Sequence, residues 1–296
     1  MVNNFYKLKS LLSPAGQYHC LVAGLPELTF DMGSSVDFVA LRAEIASELT
    51  AEDMDSVGLL YLFYDIENLV NKLRGKNLLF NKLGNLTPSQ ITAEIASESD
   101  GDEPFDSLLP DGLRLIVDRY RGDVEQESDD PLEPIAESEL ERELYTEFYN
   151  LAIDCPSRFM REWAVADRTI RNLVVASRAR ALGVDATTMI VGEGELEQQM
   201  LSSQASDFGL RGQFEYLELL MAVLETTDFV ERERKMDTLR WNIAQSITEQ
   251  NYFDAEFILA YLVKMNILYR WRALDKAIGA ERFSEIVGKF TSDLKL

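Results

Sequence analysis

The sequence predicts an all-α protein. Apolar residues recur at the three- or four-residue spacing of an amphipathic helix through most of the chain. Serine, threonine or aspartate precedes several of these stretches, glycine follows several of them, and strand-like alternation is weak throughout. Because three of the predicted helices also share one pattern, we expect an elongated protein built from three pseudo-repeated helical units.

Length and charge limit the classes of function. The chain has 296 residues, of which 46% are apolar and 10% aromatic, so it can bury one large core or two modest ones. Its formal net charge is −22. A field of this sign repels the phosphates of nucleic acids and the headgroups of anionic lipids. We therefore expect protein partners and no nucleic acid.

The cysteines and the apolar runs indicate a cytoplasmic protein. Cys20 and Cys155 are the only cysteines, far fewer than in a secreted disulfide scaffold. The apolar run within residues 1–17 is too short for a signal peptide. The longest charge-free stretch, residues 10–26, contains two prolines and cannot cross a bilayer as a helix. We expect residues 1–17 to be an N-terminal extension, and we expect no direct insertion into a membrane.

The start of the chain predicts a short buried segment and then a helix. Residues 18–30 are apolar and are interrupted by a glycine and a proline, which predicts a short buried segment that ends in a turn. Ser34 and Ser35 are candidate N-caps for a helix over residues 36–49, where apolar residues recur at helical spacing.

The next two predicted helices begin with capping patterns. Thr50 followed by Asp53 predicts the start of a helix, and Gly75 is a candidate for its end. The sequence from Thr87 to Gln90, TPSQ, places threonine at the N-cap, proline at the first helical position and glutamine at the third.

The middle of the chain is strongly acidic. Between residues 94 and 143 the chain has 18 acidic residues against four arginines and no lysine. The stretches 97–104 and 122–134 have the composition of solvated loops, and residues 107–122 between them have apolar residues at helical spacing. The simplest role of the acidic stretches is solubility, and docking of a partner is the alternative.

The second half of the chain predicts helices almost throughout. Ser138 and Glu141 form a capping-box pattern, Ser157 is a candidate N-cap, and Gly183 is a candidate helix end. The predicted helices cover residues 138–153, 158–182, 214–224, 231–250, 254–278 and 280–290.

One pattern recurs inside three of the long predicted helices. An asparagine is followed directly by leucine or isoleucine and, six residues after the asparagine, by an arginine. The two side chains lie about 240° apart on a helix, so the asparagine can face inward while the arginine faces a rim. Chance is the alternative, because a two-position match is easily met in helical sequence. The pairs are Asn68 with Arg74, Asn172 with Arg178, and Asn266 with Arg272.

Composition and the repeated pattern together predict the domain organisation. After the extension over residues 1–17, we expect a first helical unit over 18–121 and an acidic linker over 122–137. The second and third helical units are expected within residues 138–296.

The sequence lacks motifs for catalysis and for metal binding. The single histidine, His19, cannot supply a zinc, copper or haem site, and it suits a structural place in the first apolar run. Neither G-x-S-x-G nor G-x-x-x-x-G-K-[ST] occurs. We therefore predict no catalytic, cofactor-binding or metal-binding residues, and a protein that is not an enzyme. The six arginines of residues 158–182 suit acidic side chains, within the chain or on a partner.

Three stretches resemble known families. Residues 18–30, YHCLVAGLPELTF, and residues 251–287, NYFDAEFILAYLVKMNILYRWRALDKAIGAERFSEIV, resemble the first and last segments of a family of uncharacterised bacterial proteins. The genes of that family lie among those of a V-type (archaeal-type) ATPase, and the resemblance covers most of residues 18–290. Residues 65–76, DIENLVNKLRGK, are similar to the helices repeated in the C/d subunit of V-type ATPases. That protein is an all-helical funnel with three-fold pseudo-symmetry. This chain is shorter, has acidic insertions and has a weak third repeat, in which the aspartate before the asparagine, Asn266, is absent.

The resemblance implies a non-catalytic central-stalk subunit, a socket that couples the rotor shaft to the membrane ring. Its partners are then the shaft and ring subunits, and its place is the cytoplasmic side of the inner membrane, where the complex holds it. Arg74, Arg178 and Arg272 are the candidate partner-binding residues. The alternatives are an assembly factor or a peripheral-stalk component of the same complex, or an enzyme that uses a carboxylate pair.

Overall fold

The structure is all-α, as the sequence predicts. Within the described residues the chain forms eleven helices and no strand, and an isolated antiparallel bridge joins Gln17 to Asp254. The structure is a computed structural model, and it describes residues 16–30, 36–76, 78–96, 106–122 and 133–273. The helices are α1 (His19–Gly24), α2 (Phe38–Glu48), α3 (Ala51–Leu73), α4 (Pro88–Ala96), α5 (Asp111–Arg121), α6 (Glu137–Asp154), α7 (Arg158–Leu182), α8 (Glu195–Ser202), α9 (Leu217–Leu224), α10 (Phe229–Ile247) and α11 (Ala255–Ala273).

The order of the helices repeats along the chain. A helix, a long helix and two shorter helices occur as α2 to α5 and again as α6 to α9, and α10 with α11 begin the order a third time. The sequence after α11, including the helix predicted over 280–290, lies outside the described residues. Three complete units therefore stay a prediction.

The chain forms two compact units. One takes its residues from 1–54 and 244–296, and the other from 55–243, so the division falls within α3 and α10. This division follows contacts in space. The units predicted over 18–121 and 138–296 follow a sequence pattern instead, and their boundaries stay predictions.

Capping patterns begin three helices where the sequence predicts them. The Thr50 hydroxyl accepts a hydrogen bond from the backbone N–H of Asp53 at 3.2 Å, at the start of α3. The side chain of Gln90 accepts from the backbone N–H of Thr87 at 2.8 Å, at the start of α4. Ser157 accepts a backbone N–H at 3.2 Å and caps α7. These bonds satisfy amide groups that have no partner within the helix, and the three predicted starts are confirmed.

The cap predicted for α2 is wrong. Asp37 is the N-cap, since its carboxylate accepts from the backbone N–H groups of Val39 and Ala40 at 3.0 and 3.1 Å. Ser34 and Ser35 themselves lie outside the described residues, as do the acidic residues 97–104. Aspartate and serine are equally good N-caps, so local preference could not choose between them.

The cap predicted for α6 is also wrong. The helix begins at Glu137, and Ala136 at the N-cap position makes no side-chain hydrogen bond. Glu141, the second residue of the predicted capping box, pairs with two arginines instead. A carboxylate that meets two guanidinium groups is stabilised more than one that meets a single backbone N–H.

The prediction of a buried segment over residues 18–30 is wrong for most of its length. These residues include α1, and none of its residues is buried. Tyr18, just before α1, is buried, and its hydroxyl donates a hydrogen bond to the carboxylate of Asp53. The exposed His19 contacts Phe253, with 4.4 Å between the ring centroids. An apolar run is therefore a weak sign of burial when the helix that it forms is short.

The helices α6 and α7 pack against each other at the centre of the larger unit. Leu144 and Phe148 of α6 are buried with Ile170 and Leu173 of α7. Helix α5 packs on α6, and α8 packs on α7. In the other unit, α2 packs on α11. Removal of these apolar side chains from water is the main stabilising contribution.

Candidate functional site

Asn68 on α3 holds a segment of the chain that returns to the helix. Its Nδ2 donates to the carbonyl oxygen of Asn81 at 2.9 Å, and its Oδ1 accepts the backbone N–H of the same residue at 2.8 Å. A side-chain amide has donor and acceptor groups like those of a peptide group, so it can pair with main chain as a neighbouring strand does. We name this pair of hydrogen bonds an amide clamp.

Asn172 on α7 forms a second amide clamp. Its Nδ2 donates to the carbonyl oxygen of Val191 at 2.7 Å, and its Oδ1 accepts the backbone N–H of Val191 at 2.9 Å. The residue that is held lies 13 positions after Asn68 in the first clamp and 19 positions after Asn172 in the second. Asn266 on α11 is buried as well, at 4% exposure. The prediction that the repeated asparagines face inward is confirmed.

A buried carboxylate supports the loop of the first clamp. Asp65, on α3, accepts the backbone N–H groups of Asn85 and Leu86 at 3.0 and 2.9 Å. Gly84 lies so close that a Cβ atom there would be 2.3 Å from the Asp65 carboxylate. The loop is therefore fixed to α3 through main-chain groups at several places.

A buried ion pair supports the second clamp. The Nε of Arg168 lies 3.3 Å from the carboxylate of Glu197, whose side chain is 2% exposed. The Nδ2 of Asn172 lies 3.4 Å from the same carboxylate. Gly192 follows the held residue with φ of 92°, and its backbone N–H donates to the Thr146 hydroxyl at 3.0 Å. Glycine adopts this left-handed conformation without strain.

Two of the predicted partner-binding arginines make internal contacts. The Nη1 of Arg74 lies 2.8 Å from the carboxylate of Glu141. Arg272 donates to the carbonyl oxygen of Val36, and its guanidinium lies 4.9 Å from the ring centroid of Phe38. Each of these arginines joins elements within its own compact unit.

The third predicted arginine, Arg178, is exposed and lies at a cleft of about 220 Å³ between α7 and α10, which Leu224 at the end of α9 also lines. Among the described residues, Arg178 forms no hydrogen bond or ion pair. Arg232 of α10 lines the same space. Sequence reasoning missed Arg232, because α10 mixes acidic and basic residues and its three arginines lie outside the repeated pattern. We name this space the arginine cleft; its main walls are Val174, Ser177, Arg178 and Ala181 of α7 with Arg232, Glu233 and Met236 of α10.

Sequence reasoning also missed a buried polar group that joins α6, α7 and α10. The hydroxyl of Tyr149 donates to Oδ2 of Asp167 at 2.7 Å, and the Nε of Arg240 donates to Oδ1 at 3.0 Å. Burial, together with the neighbouring Asp167, raises the pKa of Tyr149 well above its ordinary value, so the phenol stays a donor. A charged residue at helical spacing between Ala164 and Ile170, which are both buried, is the signal that could have identified Asp167.

The described ranges contain no group of three or more His, Cys, Asp or Glu side chains placed to hold a metal ion. No helix in those ranges combines the length and the apolar character needed to cross a bilayer. We take the arginine cleft as the candidate functional site, because it presents the side chain of Arg178, which forms no hydrogen bond or ion pair among the described residues. The second amide clamp holds the segment at Val191 to α7, the helix that forms one wall of the cleft.

Comparison with known proteins places the chain in a family. A search of curated proteins finds no match to the chain. A family model matches residues 15–294, a span that includes all eleven described helices. By that match, the chain belongs to the family described as "Protein of unknown function (DUF2764)".

Proposed function

We propose that the protein is a non-catalytic subunit of a V-type ATPase, a central-stalk socket that couples the rotor shaft to the membrane ring. The observation that carries the proposal is the recurring amide clamp. The same two hydrogen bonds occur at Asn68 and Asn172, and Asn266 is buried at the corresponding place in α11. Repeated helical units are what the resemblance to the C/d subunit of these ATPases implies.

Clamped helices suit a part that transmits torque. A connector must keep its shape under load, which requires helices whose connecting loops do not open easily. Each clamp ties the chain after a long helix back to that helix, so the loop is fixed between its ends. Hydrogen bonds of this kind contribute about 1 kcal/mol each, and more when their loss leaves buried groups unpaired.

The net charge of the chain favours attachment to the membrane through other subunits of the complex. A net charge of −22 disfavours contact with anionic lipid headgroups, so the proposed subunit is held at the cytoplasmic side of the inner membrane by the complex. The proposed partners are the rotor shaft and the membrane ring. Arg178 is the candidate contact with them, whereas a role in binding for Arg74 and Arg272 stays a prediction.

Purification of the ATPase from native membranes through a tag on this protein tests the proposal. We expect the shaft and ring subunits to co-purify with one copy of the protein per shaft, and electron microscopy to place it between shaft and ring. A copy number that falls during washing would identify an assembly factor. A position beside the catalytic head would identify a peripheral-stalk component. Either result would contradict the socket.

A substitution test of the three arginines has to treat them separately. Glutamate in place of Arg74 would face Glu141, so a loss of assembly could come from misfolding. Arg178→Glu changes an exposed side chain that has no partner among the described residues. We expect this variant to keep its helicity and to lose co-purification with the rotor subunits. Full assembly of the variant would remove Arg178 from the proposed interface.

A further inference from the structure

We propose that the arginine cleft binds a carboxylate side chain of a partner protein, through Arg178 and Arg232 as cationic contacts. The inference rests on the proposed function only for the identity of that partner. The class of ligand follows from the cleft itself.

Arg178 differs from the other arginines of α7. Five of the six arginines of this helix make contacts within the chain, either with main-chain carbonyl oxygens or with glutamates. The side chain of Arg178 makes no such contact within the described ranges. A guanidinium stays charged at every physiological pH and presents a planar set of donors that matches a carboxylate. The arginines with internal contacts are Arg158, Arg161, Arg168, Arg171 and Arg180.

Arg232 brings a second cation to the cleft. Its guanidinium lies 5.6 Å from the ring centroid of Phe229, and no described carboxylate pairs with it. Glu233 also lines the cleft, and it already has an interaction in the free protein. The cleft therefore has two guanidinium groups against one carboxylate, so its local charge is positive.

A carboxylate can accept from both arginines. It has two oxygens with about four lone-pair sites, enough for two guanidinium groups. Arg178 and Arg232 line the same cleft. The oxygen of the neighbouring Ser177 is buried in the wall of the cleft, so a ligand in the cleft does not reach it.

The size and walls of the cleft favour a protein side chain as the source of the carboxylate. A space of about 220 Å³ holds an acidic side chain and part of an apolar neighbour, and Val174, Ala181 and Met236 provide apolar walls. Nucleic acids and anionic membranes present many phosphates over an area larger than the cleft, and the net charge of −22 opposes such extended contacts. A single acidic segment of a protein can place one carboxylate in the positively charged cleft.

Peptide binding to the full-length protein tests the proposal. The probe is a fluorescein-labelled peptide of alternating glutamate and leucine, and matched peptides carry glutamine or phosphoserine in place of glutamate. We expect saturable binding of the glutamate peptide by fluorescence anisotropy, weakened by added salt, and at least about tenfold weaker binding of the glutamine peptide. Absence of saturable binding up to about 1 mM would overturn the proposal. Tighter binding of the phosphoserine peptide, or of phosphatidylserine vesicles, would overturn it as well.

Variants of the cleft separate binding from folding. We expect Arg178→Ala and Arg232→Ala each to weaken the glutamate peptide about tenfold. Arg211→Ala is the matched control, because Arg211 is 78% exposed and does not line the cleft, and it should leave affinity unchanged. Ser177→Ala is a second control: its hydroxyl is buried in the wall of the cleft, so the variant should leave the affinity for the glutamate peptide unchanged. Unchanged affinity in both arginine variants would contradict the proposal.

The same variants in the native complex distinguish this inference from the proposed function. If the wild-type protein and the Arg178→Ala/Arg232→Ala protein both co-purify with the rotor at equal salt resistance, the cleft inference fails and the proposed function stands. If the glutamate peptide binds but no rotor protein co-purifies with the wild type, the proposed function fails and the cleft inference stands.

Discussion

The two amide clamps use the same side chain in different surroundings. Beside Asn68, the carboxylate of Asp65 accepts main-chain N–H groups, whereas a buried ion pair lies beside Asn172. The residues that are held also differ: Asn81 is partly exposed, and Val191 is fully buried. A hydrogen bond that water cannot replace contributes more, so the second clamp should contribute more free energy than the first.

The difference between the two clamps shows that bond length and contribution to stability depend on different features. An asparagine on a helix supplies the donor and the acceptor, and both clamps then adopt bond lengths between 2.7 and 2.9 Å. The free energy that these bonds contribute depends on access to water and on the charges nearby. Substitutions at both clamps can therefore test whether burial or bond geometry decides stability.

Arg168→Met should give the largest effect. The variant leaves Glu197 buried without its cation, which we expect to lower the free energy of unfolding by about 3–5 kcal/mol in urea denaturation. Arg211→Met is the control: its ion pair with Asp207 is exposed, and its loss should cost less than about 1 kcal/mol. Arg168→Met combined with Glu197→Leu should recover part of the stability, because no unpaired charge remains. A double variant no more stable than Arg168→Met would refute this account.

Asn172→Ala should have the next largest effect. It leaves the backbone N–H and carbonyl of the buried Val191 without partners, which should lower the free energy of unfolding by about 2–4 kcal/mol. Hydrogen exchange at the Val191 amide should accelerate more than at amides of the α7 core. A loss below about 1 kcal/mol would show that the second clamp has little energetic role.

Gly84→Ala tests the loop of the first clamp. The new Cβ would lie 2.3 Å from the Asp65 carboxylate and must displace it from the amides that it accepts. We expect a loss of about 1–3 kcal/mol by chemical denaturation. Gly58→Ala is the control with the opposite sign, because a Cβ there meets nothing within 4 Å and alanine favours α3 by up to about 1 kcal/mol. Equal effects at the two glycines would contradict the steric argument.

Asn68→Ala should have the smallest effect of the four. Water can reach the partly exposed Asn81 and replace the lost bonds, so we expect a loss of about 1–2 kcal/mol. Hydrogen exchange at the Asn81 amide should accelerate locally, and its comparison with Val191 in Asn172→Ala measures the difference between the clamps. Equal losses for the two asparagine variants would show that bond geometry outweighs burial.

The sequence predicted the helical class and several helix starts because these depend on local patterns. Thr50, Thr87 and Ser157 cap their helices through residues at most three positions away. The prediction for Ser138 is wrong because Glu141 meets arginines distant in the sequence. Local preference carries no information about such partners.

The candidate site could be predicted only in part. Arg74 and Arg178 occupy the same place in the repeated pattern, yet Arg74 pairs with Glu141 and Arg178 is exposed at the arginine cleft. Exposure is decided by neighbouring helices, which the pattern does not encode. Arg232 lies at the same cleft as Arg178 because α10 lies near α7, and the sequence of neither helix shows this proximity.

An anchor that bonds only peptide atoms makes no contact with the side chain of the residue that it secures, and it excludes only proline, which has no N–H. Other residues at positions 81 and 191 can therefore keep these two hydrogen bonds, and the separation between the asparagine and the secured residue can differ, as the separations of 13 and 19 residues already do. Relatives of this chain should thus tolerate divergent segments after these helices as long as the asparagine persists. It then serves as the sequence marker by which corresponding helices can be aligned when their loops no longer can.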